Sequence, residues 1–272
     1  MTNKPPSFGE LPEENGGPSE GGPLGFGAPP RGDSQLPKPG SQGSTGPAPP
    51  RPPDEDLTLS IQGVRARQGE EPSEMTVEIE TSRGIITAHM TPVEGETGAA
   101  IFVGGAAGGV KGPANEVYVR LGQALRESGV TGLRVEYREP GEFEECVLDA
   151  LAACSFLKGI GAERVVVVGH SFGGAVAVKA AQLAPLVTAA AGMSSQRYGT
   201  QAVDELHKPL LLIHGAHDEI LDQQASKDIY ERANEPKRIV ILEGDGHGLT
   251  VRSDEVFELV RSFVVEHTGP RR

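Results

Sequence analysis

The sequence has no tryptophan, only two cysteines, and aromatic residues at 4% of its 272 positions. Basic residues are short as well, 25 Lys and Arg against 38 Asp and Glu, for a formal charge of -13. That balance argues against nucleic acid as a partner, because phosphates repel an acidic surface. No uninterrupted apolar run is long enough to cross a bilayer, and the N-terminus lacks the apolar stretch behind basic residues that marks a secretory signal. Cys146 and Cys154 fall in one predicted helix. Their spacing puts them about 12 Å apart along its axis, beyond disulfide reach. They read as buried free thiols in a reducing cytoplasm.

The shortages are unevenly spread. Residues 1–56 hold 14 of the 22 prolines and 11 of the 37 glycines. Their only Met, Leu or aromatic residues are Met1, Phe8, Leu11, Leu24, Phe26 and Leu36, with no Ile or Val. Such a segment cannot bury enough apolar surface to offset its ordering entropy, so it is expected to be a disordered solubilising or tethering tail. The sequence identifies no protein partner for it. The adhesion-type tripeptide Arg31-Gly32-Asp33 in this tail is attributed to chance. Residues 57–272 have the size of one α/β domain.

From Met75 onward, strand and helix signals alternate. "MTVEIET" and "IITAHMTP" read as an edge hairpin, and "AAIFVGG", "GLRVEYR", "RVVVVG", "LVTAAAG", "PLLLIHG" and "RIVILEG" as further strands. Between them lie helical stretches. One ends at Gly129 with Val117, Leu121, Ala124 and Leu125 inward, another places Phe143, Val147, Leu151 and Cys154 inward, and Ser253 is the expected N-cap of the last. Residues 57–72 fit either a short edge strand at "LTLSI" or a flap. The alternation predicts a doubly wound, mostly parallel sheet with helices on both faces and an antiparallel N-terminal edge.

In open α/β sheets the chemistry sits at the carboxyl ends of the strands. Four loops arrive there: "GGAAGGVKGP", "GHSFGG", "HGAHDEIL" and "EGDGHGL". Gly169-His170-Ser171-Phe172-Gly173 fits G-x-S-x-G between a β-branched strand and a helix of small residues. That context suits a serine on a tight bend with its hydroxyl above the sheet. A serine hydroxyl needs a base, and His247, between Gly246 and Gly248, is the candidate. The other histidines read differently. His170 lies inside the elbow, His214 at a strand end beneath the site and His217 beside the acid, while His89, His207 and His267 read as surface or edge residues. Asp218 is the candidate carboxylate for the imidazole, with Glu219 and Asp245 as alternatives. The N–H of Phe172 is one candidate oxyanion donor, and the loop after "AAIFV" offers the other at Ala106, with Gly105 the alternative. That loop does not match a phosphate-binding P-loop, since Val110 and Gly112 stand where lysine and a hydroxyl residue belong.

Through "VVVVGHSFGG", "LLLIHGAHDEIL" and "EGDGHGL", in the order Ser…Asp…His, the sequence resembles the α/β-hydrolase superfamily from about Met75 to His267, and within it the small capless esterases and dienelactone-hydrolase-like members. The resemblance implies a triad of Ser171, Asp218 and His247 with Phe172 and Ala106 as oxyanion donors. One departure is Gly104-Gly105, where many members carry His-Gly. Only about sixteen residues, 194–209, stand where capped members insert a cap domain, so an open or shallow site is expected, with Tyr198 and Met193 available to line it. The expected activity is hydrolysis of a small-molecule carboxylic ester or thioester, with no metal or organic cofactor. Acyl transfer or perhydrolysis on the same triad, and a non-catalytic scaffold, are the alternative readings.

Overall fold

The computed structural model describes residues 58–69 and 71–269. The tail expectation for residues 1–56, including Arg31–Asp33, falls outside them. Nine strands form one sheet in the order β1-β2-β3-β5-β4-β6-β7-β8-β9. β1 (Ile61–Gln68), β2 (Met75–Thr81) and β3 (Gly84–Thr91) pair antiparallel, and β3 continues antiparallel onto β5 (Val130–Glu136). From β5 the sheet is parallel through β4 (Gly98–Val103), β6 (Arg164–His170), β7 (Val187–Met193), β8 (Leu210–Gly215) and β9 (Lys237–Leu242). Of the two readings left open for residues 57–72, an edge strand or a flap, the fold has an edge strand, but it begins at Ile61, where "LTLSI" ends.

The helices divide between the two faces. α2 (Phe143–Gly159), α3 (Phe172–Leu183) and α4 (Gln224–Arg232) cover one face, where Val165, Val167 and Leu212 meet Leu157, Val176 and Ile229. α1 (Pro113–Arg126) and α5 (Ser253–Thr268) cover the other, where Phe102, Val166 and Val168 meet Tyr118, Leu121, Val256 and Val260. β4, β6 and β8 are buried along nearly their whole length. This two-sided burial is why they read as unbroken apolar runs. Cys146 and Cys154 are both free thiols buried in α2. No described helix is long and apolar enough to cross a membrane.

Two helix starts differ from the sequence reading. Ser253 is the first residue of α5, and its neighbour Arg252 occupies the cap position. Asp245 provides the capping oxygens instead, accepting the Val251 and Arg252 N–H groups at 2.8 and 3.0 Å. The Ser253 hydroxyl accepts the Asn115 amide N–H at 3.0 Å. At the start of α1, Ala114, Asn115 and Glu116 take left-handed conformations, with φ of 50°, 55° and 57°. Such a turn costs roughly 1–2 kcal/mol per residue. It is held by long-range bonds: the Ala114 N–H donates to the Gly248 carbonyl at 2.8 Å, beside the last loop of the sheet edge.

Candidate active site

The strand β6 runs out at His170, and α3 begins at Phe172. Ser171 alone makes the turn, with φ 58° and ψ -120°. A non-glycine residue at positive φ is strained and persists only where its surroundings enforce it. The surroundings here are backbone. A Cβ on Gly169 would lie 1.9 Å from the Gly173 carbonyl oxygen, and one on Gly173 would lie 2.2 Å from that of Gly104. Only glycine lets the strand, the helix and the end of β4 converge this closely. The Ser171 N–H donates to the Met193 carbonyl at 2.8 Å, pinning the bend to β7. Ser171 is half-exposed, whereas Phe172 is buried. Phe172 is the first helical residue, so its N–H has no partner within the helix.

Asp218 follows β8 in a short loop. Its Oδ1 accepts the N–H groups of Ile220 and Leu221 at 2.9 and 2.8 Å, and its Oδ2 lies 2.8 Å from His247 Nδ1. The Asp218 side chain is fully buried and that of His247 is 21% exposed. Burial pushes the Asp218 carboxyl up, but the Leu221 N–H, the His247 imidazole and the Ile220 N–H together outweigh it and hold the group below its usual range. The bond from Nδ1 fixes the neutral tautomer of His247 that leaves Nε2 with its lone pair. Ser171 Oγ makes no hydrogen bond to His247; in unliganded sites this contact is commonly open and closes on substrate binding.

The elbow and the His247 loop are tied together in another way. His170 Nε2 donates to the His247 carbonyl at 3.0 Å, the Ser194 hydroxyl donates to the same oxygen at 3.1 Å, and the two imidazole rings lie 4.7 Å apart. Burial lowers His170 to a pKa of about 4, so the ring is neutral near pH 7. His214, fully buried at the end of β8, places Nε2 3.1 Å from the same Asp218 oxygen that His247 uses and 2.9 Å from the Leu221 carbonyl. Its Nδ1 accepts the Ser226 hydroxyl at 2.7 Å. Burial holds its pKa below the ordinary value, and a neutral His214 with its proton on Nε2 satisfies every partner. The sequence placed His214 beneath the site but gave no signal for Ser194 or Ser226, two ordinary serines in sequence terms.

The rival carboxylates are accounted for. Asp245 is buried and bonded to the α5 N-terminus, and Glu219 is exposed. His217 is exposed, with its N–H on the Asp245 carbonyl at 2.8 Å. Beyond β4, Gly105 and Gly108 close a tight turn with Ala106 exposed at its tip. Gly105 is the residue facing Ser171: a Cβ there would lie 3.7 Å from Ser171 Cβ. Buried Tyr118 and Tyr137 hold the base of this turn, donating to the Val103 and Gly104 carbonyls at 2.9 and 3.3 Å. Between β7 and β8 the chain forms only one short 3-10 turn, Val203–Glu205, and no inserted cap. Tyr198 is 61% exposed beside the elbow, but Met193, expected as a possible lining residue, is fully buried in the core. As the last residue of a central parallel strand, Met193 is covered on the α1/α5 face.

Comparison with known proteins agrees with this architecture. The family model of the dienelactone hydrolase family matches residues 114–266. Two uncharacterized proteins from strains of Mycobacterium tuberculosis are each 30% identical over 179 residues, 54% of this chain and 64% of theirs. The chain thus spans less than two thirds of the length of the curated relatives it matches. Among solved structures, Est1E from Butyrivibrio proteoclasticus superposes with a TM-score of 0.63 at 18% identity, over 71% of this chain and 98% of that one. Dienelactone hydrolase from Anabaena variabilis gives 0.62 at 19%, over 72% and 98%. The esterase domain of a Rhodothermus marinus protein gives 0.58 at 23%, over 71% and 98%. These likenesses establish the α/β-hydrolase fold, and the family match establishes that the chain belongs to the dienelactone hydrolase family.

Proposed function

We propose that the protein is a serine hydrolase that cleaves a carboxylic ester or thioester through an acyl-enzyme on Ser171. The observation that carries this reading is the meeting, at one sheet edge, of a strained serine bend with a base–acid pair joined at 2.8 Å. Ser171 Oγ attacks the acyl carbon while His247 Nε2 takes its proton. The resulting imidazolium is stabilised by ionised Asp218, whose charge is held by backbone N–H groups rather than cancelled by a cation. The developing oxyanion is assigned to the Phe172 N–H and a donor in the Gly105–Ala106 turn, with Ala106 N–H as the second donor. His247 returns the proton to the leaving oxygen or sulfur. Water then attacks the acyl-enzyme with His247 as base, releasing the acid and restoring the Ser171 hydroxyl. His214 acts as a positioning residue through Asp218. The names of the structural neighbours, esterases and a dienelactone hydrolase, support a small-molecule ester substrate.

The test is fluorophosphonate labelling together with turnover of a panel of acyl esters and thioesters of graded length. Wild type is expected to label and turn over, and Ser171→Ala to do neither. Persistent labelling of Ser171→Ala refutes the assignment. No labelling and no turnover of wild type revives the scaffold reading.

A further inference from the structure

Ser171 stands between two unlike surfaces. On the α2/α3 side, Phe172, Phe143 and Tyr198 form a run of edge-to-face rings, with centroids 5.9 and 5.7 Å apart. On the α1/α5 side lies a cavity of about 350 Å³, bounded by the glycine loop after β4, by Tyr118, His170 and Gly248. Its size is at the lower end for small-molecule pockets. One wall, Gly105, faces the nucleophile at the 3.7 Å separation given above. Another, Gly248, directly follows the base His247. A group seated here touches Gly105 and Gly248, which adjoin Ser171 and His247, while the aromatic side is left to the acyl group.

The chemistry of the lining narrows the occupant. Lys111 is the only Lys or Arg among the lining residues, and its Nζ is paired with Glu116 at 2.9 Å, both side chains well exposed. That pair leaves no net positive charge to hold a carboxylate or a phosphate. His170 supplies a different feature. Its Nε2 faces the His247 carbonyl, which only accepts, so Nε2 carries the proton and Nδ1 carries a lone pair. Nδ1 has no hydrogen-bond partner among the described residues, and the ring lines the cavity. With its pKa near 4, the ring keeps that lone pair at neutral pH. An unpartnered acceptor open to a small uncharged cavity is matched by a neutral hydroxyl donor better than by an alkyl chain or an anion.

We infer that the cavity between the glycine loop and His170 is the leaving-group subsite, and that it takes a small hydroxylated alcohol, a glycol or glycerol unit, whose free hydroxyl donates to His170 Nδ1. This inference rests on the serine-hydrolase reading of the same site.

The test uses the full chain and esters of a single acid with methyl, ethyl, 2-hydroxyethyl and 2,3-dihydroxypropyl alcohols. In wild type, kcat/KM for the 2-hydroxyethyl ester is expected to exceed that for the ethyl ester by up to about tenfold, the net scale of one hydrogen bond. His170→Phe removes the acceptor and should bring the ratio to about one, whatever its effect on the absolute rates. Val110→Trp narrows the cavity from its lining and should slow the dihydroxypropyl ester far more than the methyl ester. If His170→Phe does not fold, this second variant carries the test. A wild-type ratio near one, or a ratio kept in folded His170→Phe, or an unchanged methyl-to-dihydroxypropyl ratio in folded Val110→Trp, overturns the subsite. In each of these cases Ser171 still labels with fluorophosphonate and the hydrolase reading stands. Absence of both labelling and turnover overturns the hydrolase reading and the subsite with it.

Discussion

Two fully buried carboxylates in this molecule are held in opposite ways. Asp149, in α2, accepts the Arg138 guanidinium and the Arg138 backbone N–H, and Arg138 in turn binds Glu145 and the Arg83 carbonyl. A second such pair joins Arg134 of β5 to Glu74, the residue before β2. Asp218 has no guanidinium. Backbone N–H groups and two imidazoles hold it. The difference shows in protonation: burial outweighs the Arg138 bonds and raises Asp149, while the donors around Asp218 prevail over burial and lower it. A carboxylate matched by a permanent cation has its field cancelled locally and serves packing. One held by neutral donors keeps a net negative charge, which a neighbouring imidazole can use when it becomes protonated.

The sharpest way to break the comparison begins at Ser171, the proposed nucleophile. Ser171→Gly should reduce turnover by at least about 10³-fold. It should also raise the melting temperature, because glycine relieves positive-φ strain of roughly 1–3 kcal/mol. Kinetics and calorimetry on one sample check both, and a lower Tm would show that the bend is not strained. Next come the two carboxylates themselves. Asp218→Asn should lower kcat by about 10³–10⁴-fold with a modest change in stability. Asp149→Asn removes one of the two carboxylates that meet Arg138 and should cost about 1–3 kcal/mol, with much less effect on kcat once folded. Urea unfolding beside steady-state kinetics separates the two, and equal effects on both quantities would dissolve the distinction.

A smaller effect is expected at His214. His214→Phe removes one donor from Asp218 Oδ2, which makes that oxygen a stronger partner for the His247 imidazolium. The acid limb of kcat/KM should move to higher pH, with kcat falling about tenfold. A loss of rate with no movement of the limb would assign His214 a purely structural part. The smallest effect is on stability against pH. The folded-state pKa values of His170 and His214 are depressed, so the folded chain binds fewer protons than the unfolded one. Their contribution is complete above the unfolded value of 6.5 and is lost as pH falls toward about 4, the folded value of His170. Tm should therefore decline over that window, and the decline should flatten in His170→Phe.

Much of this was legible in the chain because it is local. Val165–Val168 followed by Gly-His-Ser-Phe-Gly-Gly specifies a buried strand, a tight bend and a close-packed helix within a dozen residues. The different partners of Asp218 and Asp245 were less legible, since both lie in polar loops at strand ends. In the fold Asp218 meets His247, and Asp245 is drawn to the free N–H groups of α5. The left-handed turn at Ala114–Glu116 carries no sequence signal of its own, because Gly112-Pro113 reads as an ordinary helix start. It exists through bonds to Gly248 and Ser253, more than a hundred positions away.

The sequence by itself therefore determined the alternation of strand and helix, the antiparallel edge, and the residue types delivered to one end of the sheet. These depend on apolar periodicity and on glycines that no other residue can replace in the bend. Tertiary structure alone decided that one oxygen of Asp218 serves both His214 and His247, and that His170 clasps the His247 loop with one ring nitrogen. It also decided that a small cavity opens beside His170 on the α1/α5 face. Those outcomes depend on distances between loops far apart in the chain, and such distances are fixed only when both faces of the sheet are packed.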